Sequence, residues 1–227
     1  MKKGNDMSEQ FFNQERREVS GFSALVFRGM GRIDLLQSDH EELVIETQPE
    51  IRSRIKTEVR EGTLYIDYDE NWKDWTGLRS LSGDKIVFKL MMREVTAISI
   101  SGVGSLDTPR IESANLSLAI TGPGLLTVGT LKVPTLTVNL SGVGAIDVAG
   151  QTDELSVTLS GAGSLKASRL EAGKASVRLS GVGTATVWAK NSLETSISGA
   201  GVIEYYGSPQ ITQNNTGLGV LKFMGNR

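Results

Sequence analysis

The sequence predicts an all-β fold, a parallel β-helix, on three observations. Glycines recur as Gly-x-Gly at a near-constant spacing, period-two apolar alternation flanks each pair, and no stretch carries a helical period. From Gly102 the pairs are Gly102 and Gly104, Gly122 and Gly124, Gly142 and Gly144, Gly161 and Gly163, Gly181 and Gly183, Gly199 and Gly201, and Gly217 and Gly219, in steps of 20, 20, 19, 20, 18 and 18 residues. An earlier pair stands at Gly29 and Gly31. All sixteen are expected to be structural corners. Leucine-rich repeats share the period but need a Leu-x-x-Leu-x-Leu frame and an asparagine ladder, and both are missing.

Before the glycines, Leu116, Leu118 and Ile120 alternate with polar residues, as do Leu136, Val138 and Leu140, Leu155, Val157 and Leu159, and Ala175, Val177 and Leu179. After them come Leu126 and Val128, Ile146 and Val148, Leu165 and Ala167, Ala185 and Val187. Each repeat of about 20 residues therefore reads as strands joined at a glycine corner, with one face buried. Such a unit cannot close a core alone, but coiling it so that each strand pairs with its equivalent one turn on buries the apolar side continuously. With rungs about 4.8 Å apart, roughly eight turns would give a rod on the order of 35 to 40 Å long. The glycines are expected to supply backbone angles closed to other residues and to let stacked corners approach closely. The preceding Ser101, Thr121, Ser141, Ser160, Ser180 and Ser198 suggest a hydroxyl ladder satisfying corner backbone groups.

The opening part is a less regular version of the same pattern. GFSALVFRGMGRIDLL matches a rung, with Phe27 at its last inward position and Ile33 and Leu35 after the corner. IKTEVREGTLYIDYD matches more loosely, with Gly62 alone at the corner and Leu64 and Ile66 following. ENWKDWTGLRSLSGDK, residues 70–85, breaks the period and reads as a protruding loop before the strand KIVFKLMM. The expected organisation is a flexible or capping segment at 1–18 and one β-helix domain at 19–227, with irregular rungs over 19–69 and regular ones over 86–227.

The chain has 227 residues, 39% hydrophobic and 22% charged, enough for a real core. A net charge of −2 offers no basic field for nucleic acid and no polybasic run for an anionic membrane, so neither is expected as a partner. The absence of cysteine excludes disulfides, thiolate metal sites and cysteine nucleophiles. Lys2 and Lys3 precede no apolar run, so the start reads as neither signal peptide nor membrane anchor. The chain is expected in the cell envelope or outside the cell if a signal peptide has been removed, and in the cytoplasm otherwise.

Val19-Ser20-Gly21-Phe22 with its strand, Gly29-Met30-Gly31-Arg32-Ile33, Glu61-Gly62-Thr63-Leu64 and the Ser-Gly-x-Gly-(Ser/Ala)-(Leu/Ile) array occur in one order. In that order the chain resembles the putative auto-transporter adhesin, head GIN domain family, over about residues 15–225. The resemblance implies a right-handed parallel β-helix, export, and a place in the bacterial envelope or at the surface. It supplies no catalytic residues.

The glycine corners do not fit cofactor loops. A Rossmann loop needs a third glycine opening a helix, and calcium β-rolls repeat every nine residues with an aspartate two after the second glycine. Here Asp107 and Asp147 follow it by three and lie two rungs apart, roughly 10 Å, too far to share one ion. The most site-like cluster is YIDYDENWKDW. Tyr65, Asp67, Tyr68, Asp69, Trp72 and Trp75 are its candidate ligand-binding residues, with Glu70 and Asp74 beside them, since carboxylates among aromatics suit sugar stacking or an acid and base pair. The alternative is that Tyr65 is a strand residue and the tryptophans fold their loop against the rod. His40, the one histidine, reads as a solvated turn residue. A Ser-His-Asp arrangement has no supporting context around any serine. Trp188, Tyr205 and Tyr206 form either an aromatic flank or a cover over core.

No cofactor, metal or catalytic residue is expected. The favoured function is a non-enzymatic envelope or surface adhesion and scaffold module, with a surface glycan or protein as partner. A carbohydrate-binding or polysaccharide-active β-helix using Tyr65 to Trp75 is the first alternative. A cytoplasmic scaffold that self-associates through its rod ends, where Val220, Leu221, Phe223 and Met224 continue the stack, is the second.

Overall fold

The computed structural model describes residues 14–69 and 86–227. In chain order its strands are β1 (Gln14–Arg17), β2 (Ala24–Phe27), β3 (Met30–Gln37), β4 (Glu42–Glu46), β5 (Ile55–Arg60), β6 (Thr63–Tyr68), β7 (Val87–Met92), β8 (Ala97–Ile100) and β9 (Val103–Glu112). There follow β10 (Asn115–Ile120), β11 (Pro123–Leu140), β12 (Val143–Leu159), β13 (Ala162–Leu179), β14 (Val182–Ile197), β15 (Ala200–Tyr206), β16 (Gln210–Asn215) and β17 (Val220–Gly225). A single turn of helix, α1 (Pro49–Arg52), lies between β4 and β5.

The strands coil into a parallel β-helix of about six turns. Counting corners gave roughly eight; the last corner opens β17 alone, and antiparallel strands rather than further turns finish the first end. Equivalent residues stack in register: Gly124 pairs with Gly104 and Gly144, Gly163 with Gly144 and Gly183, and Gly183 with Gly201. The alternation expected from sequence is the observed burial pattern. Leu116, Leu136 and Leu155 point inward on the face before the corner, and Leu106, Leu126, Ile146 and Leu165 on the face after it. A third, shorter face is built by segments such as 110–112, 130–133 and 150–152. Register shifts between Val128 and Leu131, Asp147 and Ala149, and Ala167 and Glu171 fall where the second face turns into the third. These bulges absorb the drift of the repeat from 20 to 18 residues without disturbing the corner. In the later turns the inward positions include Ala167, Ala172, Ala175, Ala185 and Ala189. The core is bulkiest near the other end, where Phe27 meets Phe88 edge-on at 5.3 Å.

The corners work differently from the sequence reading in two respects. None of the paired glycines from Gly102 to Gly219 has a positive φ, so the expectation of special backbone angles is corrected there; these residues are needed for close approach alone. A Cβ on Gly144 would lie 1.9 Å from the Gly124 carbonyl oxygen, one on Gly161 2.0 Å from that of Gly142, and one on Gly201 2.2 Å from that of Gly183. At Gly219, in the last corner, the first obstacle is a side chain instead: a Cβ would lie 2.2 Å from Ile197 Cγ2, and the Gly201 carbonyl oxygen stands back at 2.9 Å. The hydroxyl ladder is also absent as a bonding device. Among the described residues only Ser101 Oγ donates across the corner, to the Phe27 carbonyl at 3.4 Å. Main-chain N–H groups satisfy the corner instead, as where Ser141 and Gly142 both donate to the Ile120 carbonyl, at 3.0 and 3.1 Å.

The first turns do not stack in chain order. Phe27 of β2 lies between Ile66 of β6 and Ile100 of β8, and Ile33 of β3 between Phe88 of β7 and Leu106 of β9. The chain thus lays down an inner turn first, goes outward, and returns as β6 and β7 to build the turn outside it. Gly62 is not a corner: Glu61 and Gly62, with φ of 48° and 72°, form the two-residue turn of the β5–β6 hairpin. The 70–85 segment between β6 and β7, expected as a protruding loop, lies outside the described residues. Antiparallel strands finish this end, β5 beside β6 and β1 beside β4 beside β7, with Ile51 of α1 buried under them. Part of the segment expected to be flexible or capping is therefore β1.

The glycine geometry yields a paired test. Gly144→Ala is expected to lower stability by about 1–3 kcal/mol through overpacking against fixed backbone. Gly124→Ala, whose nearest neighbours would lie at 3.3 Å, is expected to cost distinctly less. Urea midpoints at constant m-value measure the difference.

Candidate functional site

Strand alternation decides what the Tyr65–Trp75 cluster can present. Along β6, Leu64, Ile66 and Tyr68 face the core, while Tyr65 and Asp67 face outward. Tyr68 is accordingly a core residue, 8% exposed, whose hydroxyl donates to the Met30 carbonyl at 2.7 Å. Its ring fills the space left by Gly29, where a Cβ would lie 2.2 Å from Tyr68 Cε2. Burial pushes its phenol well above the ordinary tyrosine value. As a ligand-binding residue Tyr68 is therefore a correction: it has no outward surface to offer.

The outward members form a small charged patch. The Tyr65 ring lies between two guanidinium groups, Arg60 at 4.6 Å and Arg28 at 5.1 Å from its centroid. Arg28 also pairs with Asp67 at 3.5 Å, and Arg60 with Glu58 at 3.3 Å. Asp69, at the end of β6, is held by Arg54 at 3.0 Å, and its N–H donates to the Arg54 carbonyl at 3.0 Å. Each carboxylate has its own arginine, which is an arrangement for fixing a surface rather than for sharing a proton between two acids. Trp72, Trp75, Glu70 and Asp74 lie outside the described residues.

Other candidates resolve on geometry. Asp34 on β3 is the register neighbour of Asp107. Arg32 reaches both, at 2.7 and 3.9 Å. The sequence reading paired Asp107 with Asp147 and passed over Asp34, although Asp34 also stands three residues after a corner's second glycine. Among the described residues, no three acidic or histidine side chains converge as a metal site would require. His40 is exposed in its turn. Ser38 Oγ and Asp39 Oδ1 both approach His40 Nδ1, at 3.3 and 2.8 Å. A catalytic relay needs serine and acid on opposite ring nitrogens, so this trio is not one. The hydrogen bond from His40 holds the Asp39 carboxyl below its usual range. Tyr205 packs partly against the core, while Tyr206 lies in register with Trp188 and beneath Arg227 at 4.5 Å.

Elsewhere several outward charges are paired along the rod. Asp147 and Arg169, Glu154 and Lys174, Glu171 and Lys190 pair between successive turns at 3.1, 3.5 and 2.9 Å. A shallow groove of about 410 Å³ follows one corner, edged by Lys132, Asp153, Glu171 and Lys190. Exposed pairs like these are worth little to stability, roughly 0–1 kcal/mol each. They leave long, flat faces of mixed charge.

Tyr68 gives a pH test. Its folded pKa is raised, so the stability it contributes is complete below the unfolded value of about 10 and is lost as pH rises beyond it. Alkaline unfolding is expected to begin at about pH 10, and Tyr68→Phe is expected to shift that onset upward. At neutral pH the same variant should cost roughly 1–2 kcal/mol, because the Met30 carbonyl loses its donor. Tyr65→Ala, which removes two exposed cation–π contacts, should cost about 1 kcal/mol at neutral pH and leave the alkaline onset in place. Circular dichroism melts at several pH values separate the three.

Comparison with solved structures gives the same fold. A putative adhesin from Bacteroides fragilis is 25% identical, with a TM-score of 0.86, covering 93% of this chain and 96% of that one. One from Parabacteroides merdae is 16% identical, with a TM-score of 0.70 over 93% and 95% of the two chains. A protein from Parabacteroides distasonis described as a putative lipid binding protein is 22% identical, with a TM-score of 0.66 over 93% and 97%. No curated protein matches. The model of the family described as putative auto-transporter adhesin, head GIN domain, matches residues 21–209, and the chain belongs to that family.

Proposed function

We propose that the chain is a non-enzymatic adhesion or scaffold module of the cell envelope or surface, making contact through its flat sheet faces. The observation that carries this reading is the outer surface itself. Carboxylates that sequence alone offered as acid and base are tied to separate arginines, and acids elsewhere on the faces pair with bases one turn away. Such a surface suits broad, reversible contact with another surface better than enclosure of a small substrate. A glycan reading retains one specific support, the outward Tyr65 ring between Arg28 and Arg60, since an exposed aromatic face can stack on a sugar. The lipid-binding description belongs to a relative that shares the fold.

Two measurements test the proposal. Protease added to intact source cells should destroy the antigen; survival, with fractionation into soluble cytoplasm, would overturn the surface reading. Beads coated with the chain should then attach saturably to a mucin layer. Attachment that persists after enzymatic deglycosylation supports protein contact through the faces. Attachment lost both on deglycosylation and in Tyr65→Ala assigns it to glycan. No attachment, from a chain that protease does not reach, removes adhesion altogether.

A further inference from the structure

The two ends of the rod are unlike. At the first end the outermost strands among the described residues are β1 and β5, antiparallel to their neighbours and studded with charge: Glu15, Arg16 and Arg17 on β1, Lys56, Glu58 and Arg60 on β5. Charged edges of this kind discourage pairing with another sheet. At the other end β16 pairs only with β14, and β17 only with β15, among the described residues. β16 reads QITQNN, with no charge, proline or glycine, and every residue in it is exposed. Short neutral segments of this composition are the ones that pair with copies of themselves.

The side chains above this open edge are also self-complementary. The inward column Val138, Val157, Val177 turns polar in the last two turns, at Thr195 and then Gln213. Thr195 is buried, and its hydroxyl has no partner. A glutamine carboxamide carries both donors and an acceptor, so two of them can pair reciprocally across a two-fold axis. Around them the last turn exposes Ile211, Leu218, Val220, Phe223 and Met224, with Leu218 90% exposed. The single charge on β17, Lys222, already faces Glu204 at 3.9 Å.

We propose that two copies of this chain associate tail to tail through the last turn, β16 pairing antiparallel with β16 of the second copy about a two-fold axis. Because the first end is closed by charged antiparallel strands, the contact is isologous and stops at two. This differs from the end-to-end stacking into a growing scaffold that the repeat alone suggests. It goes beyond the proposed function, since it holds whether or not the rod adheres. In a dimer of this kind the Tyr65 patches lie at the two far ends of a rod of doubled length.

Sedimentation velocity over a wide concentration range tests it. The mass should rise to twice that of one chain and no further. Thr212→Lys with Asn214→Lys, at the outward positions of β16, should abolish the rise while leaving the melting curve of the monomer in place. A chain without cysteine allows a second reading that does not depend on those variants. A short bis-maleimide should link Thr212→Cys copies in high yield and leave Lys56→Cys copies unlinked. A single-chain mass at every concentration, growth beyond two chains, or equal linking at both positions would overturn the proposal.

Discussion

Where one corner stacks on the next, the carbonyl oxygen of a glycine occupies the place that a side chain on the glycine above would need. At Gly144, Gly161, Gly181 and Gly183 the clearance for a Cβ is between 1.9 and 2.1 Å, a distance no real side chain tolerates. This contact of backbone on backbone governs the rest. It holds the turns in register on both flanking faces, which keeps leucine above leucine and valine above valine through the core. It also confines length variation to the rest of the turn. Bulges lie at the join of the second and third faces, with one more between Ala172 and Lys174 where the third face runs into the first, and at the former join Gly150 takes a φ of 126° where its turn is one residue short.

Much of this was legible in the residues. A strand period of two and a repeat of about 20 residues constrain the fold because only coiling buries so many one-sided strands. What stayed hidden depended on partners distant in the chain. Nothing in GFSALVF states that its neighbours would be Leu64 and Ile98 on opposite sides, since strand order is a tertiary outcome. Gly62 looked like a corner because a tight hairpin turn also recruits glycine. Tyr68 looked available because the YIDYD string shows two tyrosines and two aspartates without revealing which are inward. Counting the alternation onward from Leu64 and Ile66 would have placed Tyr68 in the core. Asp34 stands outside the regular array that begins at Gly102, so its offset from Gly31, the same as that of Asp107 from Gly104, does not mark it as a neighbour of Asp107 until strand order is known.

The same alternation that builds the core determines the character of the surface. One residue in two faces out along every strand, so each face displays columns of stacked side chains at the rung spacing. In this chain several acids on those faces pair with a base of the next turn, as Glu171 does with Lys190 and Asp147 with Arg169, while the stacked Asp34 and Asp107 are both reached by Arg32. Like charges stacked one above another repel; the pairing offsets this locally and, with a net charge of −2, leaves no strong field of either sign. Specific contact by such a face depends on shape and hydrogen bonding spread over several turns, and single substitutions on it should be weak.

The exchanged order of the first two turns has a mechanical consequence. A simple solenoid can fray from its ends, since each terminal turn has a neighbour on only one side. Here β2 and β3, among the earliest strands of the chain, have a paired strand on both sides. Pulling on the N-terminus therefore cannot peel them away like the end of a spring; it must shear a strand out from between two others, breaking both ladders together. The opposite end, where β17 has a single neighbour among the described residues, can unwind one turn at a time. Under tension the rod has a locked end and a yielding end, and the direction in which it is loaded decides how long it holds.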